Sequence, residues 1–302
     1  MQPRNPQQKR KLLNNKKAAS PAISTIIMTA ATIVLVLVAM GYSNDFLGKR
    51  MAENEFSANR QFMLTTGLQI DDIAWTIGRT QTVRYTSSYG SMTFESLALN
   101  YTFEVYDGSN FIPVTFEGVT GITTGMIMFN MPVSMYTLGN NYFERLISTN
   151  TSFIQQGPSA PIVNVYCIEK MPMRDGSYVR IVAVPTIRML NPSITSLGTP
   201  TNYYKFYLPT LIRGNLTDLQ LSQSITLTGM DINKQIRNEI SKVRINITFP
   251  NGMPLSTAGF DLDFFQLEPK LDAYTCSKTI DLQEGSVVEL YLGKIKVSVG
   301  KV

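Results

Sequence analysis

AASPAISTIIMTAATIVLVLVAMGY, residues Ala18–Tyr42, contains no charged residue. As a helix rising ~1.5 Å per residue, a run of this length crosses a bilayer hydrocarbon core of ~30 Å. Its N-terminal flank carries Arg4, Lys9, Arg10, Lys11, Lys16 and Lys17 and no acid. That asymmetry favours an N-terminus held in the cytoplasm and a remainder sent outward. Residues 1–18 therefore read as a basic leader, expected to be unstructured because they are polar and rich in Gln, Asn and Pro. Six of the chain's 27 basic residues sit there, leaving 21 against 22 acids in the rest. A body so nearly neutral offers no broad basic surface for nucleic acid.

Downstream, Ala52, Phe56, Asn59, Met63, Gly67, Ile70, Ala74 and Ile77 recur at alternating spacings of three and four. Glu53, Glu55, Arg60, Asp71 and Asp72 fall largely between them. This is the period of an amphipathic helix. The helix is expected over residues 19–78, apolar all round to about residue 42 and one-faced beyond it. From Ala19 to Ile77 it would reach ~88 Å. Gly67 with Thr65–Thr66 is a candidate bend, and Gly78 a candidate stop.

After Gly78 the period changes to two. Leu97, Leu99, Tyr101, Phe103 and Val105 alternate with Ala98, Asn100, Thr102 and Glu104. Ile245–Phe249, Val287–Tyr291 and Ile295–Val299 follow the same rule, which marks half-buried strands. Turn signals at Asp107–Asn110, Asp175–Gly176, Asn251–Gly252 and Glu284–Gly285 divide them. Asp231–Lys242 is expected as a short helix, and Gln155–Pro161 as a long loop or a junction between sub-domains. The fold class is therefore α+β: a long N-terminal hydrophobic helix, then a large antiparallel, β-rich, sandwich-like domain over residues 79–302.

The chain has no histidine, which removes Ser-His-Asp and Cys-His catalysis and His-ligated zinc. Asp261–Leu262–Asp263 places two carboxylates on one strand face but too few oxygens for calcium. Asp71 and Asp72 read as surface charges. No phosphate-binding loop, dinucleotide fingerprint or nucleophile elbow occurs. The expectation is a chain that is not an enzyme, with no catalytic residue, metal or cofactor. Cys167 and Cys276 lie outside any C-x-x-C pattern; they pair if the domain leaves the cytoplasm, or else remain buried thiols. Sequons begin at Asn100, Asn150, Asn215 and Asn246, all open to N-glycosylation in an extracytoplasmic domain.

Lys16-Lys17-Ala18-Ala19-Ser20-Pro21-Ala22-Ile23-Ser24-Thr25-Ile26-Ile27 resembles the class III signal peptide of archaeal type IV pilin-like proteins, over about residues 10–45. The resemblance implies cleavage by a prepilin-type peptidase between Ala18 and Ala19, with the hydrophobic segment kept on the mature chain. It also implies partners in copies of itself or related pilins through the N-terminal helix, and a location in the cell membrane or in an extracellular or adhesion filament. Bacterial pilins usually place Glu five residues after the cut; here that position is Ile23, a departure archaeal members share. The chain is long for a major pilin, leaving major and minor roles open. Two other readings stay open. One is a single-pass signal anchor displaying a non-polymerising binding domain. The other is a secretory signal cleaved near Gly41, although its apolar run exceeds the usual ~7–15 residues.

Overall fold

A computed structural model describes residues 6–139, 142–169, 176–196, 199–214, 223–249, 265–272 and 274–300; of residues 6–20, 22, 196, 199 and 200 it describes the backbone alone. Asn215, Asp175, Asn251–Gly252 and Asp261–Asp263 lie outside the described residues. The chain divides into two compact units, Met1–Met51 and Ala52–Val302. Residues 155–161 fall inside the second.

One helix, α1 (Pro6–Ala74), is followed by a large, mostly β domain. The helix begins within the leader that was expected to be unstructured. Gln7, Gln8, Lys9, Arg10, Lys11, Leu12 and Leu13 are all good helix formers, and proline is at home in a first turn. The helix also ends earlier than Ile77. After Ala74, Thr76 N–H donates to the Ile73 carbonyl (3.2 Å) and Gly78 takes φ +78°. Gly67 does not break the helix; it lets it approach the sheet. A Cβ there would lie 3.0 Å from Val165 Cγ2 and 3.1 Å from Ile147 Cδ1.

Thirteen strands follow among the described residues. The first six are β1 (Thr80–Arg84), β2 (Ser91–Tyr106), β3 (Phe111–Pro113), β4 (Gly121–Pro132), β5 (Phe143–Ile147) and β6 (Ile154–Gln156). Next come β7 (Val163–Glu169), β8 (Tyr178–Pro185), β9 (Ile187–Leu190) and β10 (Ser193–Ser196). The last are β11 (Thr199–Arg213), β12 (Ser224–Thr248) and β13 (Thr275–Val299). They join one sheet in the order β5-β7-β8-β4-β2-β12-β13-β11-β9-β6, with β1 on β12, β10 on β11 and β3 on β2. The sheet is mixed rather than wholly antiparallel, because β11–β13 and β6–β9 pair in parallel.

β7 is buried along its whole length, β8 in all but its first residue, and β4 nearly so. Their unbroken apolar runs are what burial on both faces requires. On one face, Phe56, Phe62, Met63, Ile70 and Ile73 of α1 join Ile127, Phe129, Val165, Val179 and Ile181. On the other, Met126, Met128, Tyr166 and Val182 share a core with Tyr101, Phe103, Phe206 and Leu290. These residues come from strands distant in the sheet order, so the sheet curls over itself. Leu211 N–H donates to Thr124 Oγ1 (2.9 Å) and Tyr101 Oη to the Pro185 carbonyl (2.7 Å) across that interior. Terminal strands β5 and β6 are joined by residues 148–153 alone, a span of at most ~20 Å.

Two expected elements differ. Asp231–Lys242 is strand, within β12, not helix. Ile232, Ile236 and Ile240 are spaced by four, which fits one helix face and one strand face equally well; pairing with β13 decides. In β2 the alternation holds only from Leu99. A register shift between Glu95 and Leu99 buries Ala98 and leaves Leu97 38% exposed.

The end of α1 is seated on two glycines of the β12–β13 pair. A Cβ on Gly229 would stand 2.4 Å from the Thr76 carbonyl oxygen and 2.6 Å from that of Ile73. One on Gly293 would stand 2.5 Å from the Ala74 carbonyl oxygen. Gly78 N–H donates to the Gly229 carbonyl and Gly229 N–H to the Arg79 carbonyl, each 2.9 Å. Gly229→Ala or Gly293→Ala should each destabilise the domain by about 1–3 kcal/mol, because the clash is with backbone that cannot rotate away. Gly48, with nothing within 4 Å of its missing Cβ, should accept alanine without loss. Denaturant midpoints of the full chain in detergent check this, and an unchanged midpoint for both sheet variants would refute the seat.

Candidate membrane and assembly helix

From Ile23 to Met51 the helix carries its large apolar side chains unburied. Large apolar residues between Ile23 and Met40 are 47–69% exposed. It is long and apolar enough to cross a membrane. The threonines in this stretch turn their hydroxyls back on the helix: Thr29 Oγ1 donates to the Thr25 and Ile26 carbonyls (2.9 and 3.0 Å), Thr32 Oγ1 to the Met28 carbonyl (2.8 Å). Their polar atoms are satisfied internally and their methyl groups remain outward, as an apolar surrounding demands. Charge returns only with Asp45 and Lys49, an i,i+4 pair at 2.9 Å, and with Arg50, whose guanidinium lies over the Phe46 ring.

Ala18 and Ala19 lie inside this helix, where the backbone alone is described. Pro21 is interior to it as well. With no N–H, it leaves the Lys17 carbonyl without its helical donor.

The cysteine bridge is not formed. Both thiols are free and buried. Cys167 belongs to the core shared with α1, whereas Cys276 belongs to the core inside the curl. The sheet itself separates them. Burial pushes both thiols up to about 12.

The sequons fare differently. Asn100 is half-buried between β4 and β12, with its amide over Gly121. Asn246, also half-buried, accepts a hydrogen bond from Ser277 Oγ (2.6 Å). Asn150 is exposed in the β5–β6 connection.

Asp71 and Asp72 are engaged. Asp71 accepts from Trp75 Nε1 (3.0 Å) and pairs with Arg188 (2.9 Å), and Asp72 pairs with Arg79 (2.5 Å). Among the described residues no three His, Cys, Asp or Glu side chains gather in a way that would hold a metal.

Two arrangements escaped sequence reasoning. The Glu55 carboxylate of α1, itself buried, accepts the backbone N–H groups of Ser88 (2.9 Å), Tyr89 (3.0 Å) and Gly90 (2.9 Å), tying the β1–β2 loop to the helix. Its only sequence signal was an acid near the core-facing stripe.

The second is a row in register across four strands: Arg188, Tyr207, Tyr291, Lys234. The tyrosines stack at 4.8 Å with planes 5° apart, Arg188 covers Tyr207 (5.3 Å) and Lys234 covers Tyr291 (5.0 Å). Trp75 meets Tyr207 edge-on at 5.2 Å. Both stacked tyrosines thus have their faces occupied within the row and offer no open platform for a sugar or base. Beside it, Glu289 receives Lys234 (2.9 Å), Lys205 (3.2 Å) and Tyr291 Oη (2.7 Å).

Comparison with known proteins finds no matching family model, curated protein or solved structure. The functional reading therefore rests on the chain's own chemistry.

Two measurements follow from these sites. Native protein at pH 8 should leave both thiols unlabelled by a soluble thiol reagent, expose both after unfolding, and migrate identically with and without reductant; a mobility difference would restore the bridge. Burial alone would raise the Glu289 carboxyl, but hydrogen bonds from Tyr291, Lys234 and Lys205 outweigh it and hold the group at about 2. An unfolded glutamate titrates near ~4.3. The stabilisation is therefore complete above about pH 5 and is lost as the pH falls toward 2. Glu289→Gln should lower stability at pH 7 and flatten its acid decline between about pH 5 and 2 in urea titrations. An unaltered acid limb would refute the assignment.

Proposed function

We propose that the chain is a structural subunit of a type IV pilus-like or adhesion filament, inserted in the membrane by α1 and displaying an extracytoplasmic, sandwich-like β domain. One observation carries this reading: the uncharged, fully exposed apolar surface of α1 from Ile23 to Met40. Eleven large apolar side chains there, at about 2 kcal/mol each for burial, amount to roughly 20 kcal/mol. That exceeds the ~5–15 kcal/mol stability of a typical domain, so water is not the environment this surface is built for. Lipid covers it before assembly, and copies of the same helix cover it afterwards.

Cleavage between Ala18 and Ala19 reconciles the two environments. In a bilayer, the six leader charges stay in water on the cytoplasmic side. Among bundled helices the same charges would crowd into a medium of low dielectric. The cut removes all six and leaves one terminal amine. It also moves Pro21 from the helix interior to the first turn, where a missing N–H costs nothing.

The test is Ala18→Trp in the native host, with N-terminal mass analysis of the surface fraction. Uncut protein held in the membrane without filaments supports the proposal. Filaments built from uncut chains would sink it. Absence of filaments from wild type and variant alike, with Met1 retained in both, would identify a signal anchor instead.

A further inference from the structure

Three of the four sequons can be compared side by side. Asn100 and Asn246 lie within strands whose backbones are paired on both sides: Asn100 between Thr123 and Thr248, Asn246 between Thr102 and Ser277. The Asn100 amide lies 2.9 Å (Oδ1) and 3.2 Å (Nδ2) from where a Gly121 Cβ would stand, so it is pressed against β4. The Asn246 amide oxygen is committed to Ser277. A glycan linked to the amide of either would have to be accommodated beside strands that pair with it on both sides in the folded sheet.

Asn150 differs on every count. It is exposed, outside any strand, in the six-residue connection between β5 and β6. Its Oδ1 accepts the Ser152 N–H (3.0 Å), folding the carboxamide back over the hydroxyl residue of its own Asn150-Thr151-Ser152 sequon. The flanking chain is held by the Glu268 N–H bond to the Thr151 carbonyl (3.1 Å) and by Ser152 Oγ, which accepts the Ile154 N–H (3.2 Å). The loop therefore stands still while its asparagine faces solvent.

We infer that Asn150 is an N-glycan acceptor, whereas Asn100 and Asn246 are sequons closed by the fold. An oligosaccharide at Asn150 would stand beside β5 and β6, the two terminal strands of the sheet path. It would hinder strand addition at edges that are unpaired among the described residues, a hazard that β proteins commonly guard against. The inference rests on the proposed extracytoplasmic position of the β domain.

The experiment is glycopeptide mass spectrometry of the full-length protein from its native host, paired with protease shaving of intact cells. Trypsin releases Asn150 between Arg145 and Lys170, apart from the other sequons. Glycan on that peptide, unmodified Asn100 and Asn246, and loss of the mass increment in Asn150→Gln are the expected result. Occupancy of Asn100 or Asn246 with Asn150 bare would overturn the inference. Bare asparagines at all three on protein removed by shaving would overturn it while leaving the location intact. Protection from external protease would instead overturn the location, and the glycan with it.

Discussion

The central strands β4, β7 and β8 have no solvent face. Their side chains are buried in both directions, and the half of α1 beyond Ala52 supplies one of the two covers. Much else follows from that demand. Gly67 is small because Val165 and Ile147 stand where its side chain would be, and Gly229 and Gly293 are small because the last carbonyls of α1 rest on them. Glu55 is a carboxylate because three loop N–H groups converge on the helix there and would otherwise be buried without partners. Where the helix stops, the aromatic and cationic row from Arg188 to Lys234 takes over the same face.

The division of labour within α1 is a matter of which surface water touches. Between Ile23 and Met51 the helix belongs to one compact unit and exposes its large apolar groups; from Ala52 the same secondary structure buries a single stripe. Bonding the threonine hydroxyls inside the helix keeps the first part apolar without forgoing threonine. One helix thus changes from an exposed apolar surface to a one-faced buried stripe without a break, and the change is written in side chains alone.

What was legible in the sequence was whatever depends on neighbours in the chain. The stripe from Phe56 to Ala74 was readable because helical burial repeats every three or four residues, and Ile245–Phe249 because a strand alternates. Asp231–Lys242 was misread because isoleucines four apart satisfy both periods, and β13 is some fifty residues away. Leu97 and Ala98 were assigned to the wrong faces because a bulge in mid-β2 reverses the alternation, and nothing local announces one. Cys167 and Cys276 lie in similar strand sequences, yet their positions on opposite faces depend on how the sheet curls. The four members of the tyrosine row come from four strands and carry no common motif, so only the register could assemble them.

The seat of α1 on Gly229 and Gly293 also orders events in time. The helix is made well before the strands that receive its end, β12 and β13. Phe56, Phe62, Met63, Ile70 and Ile73 likewise wait for β4, β7 and β8 to supply Ile127, Phe129, Val165, Val179 and Ile181. Long sequence separation between contacting parts slows folding and lengthens exposure of unpaired apolar surface. The nascent chain therefore carries a helix with an uncovered apolar flank until strands far along the sequence are made. A truncation that removes only β13 would take away Gly293, one half of the glycine seat, together with the parallel neighbour of β11, loosening an early element through loss of a late one.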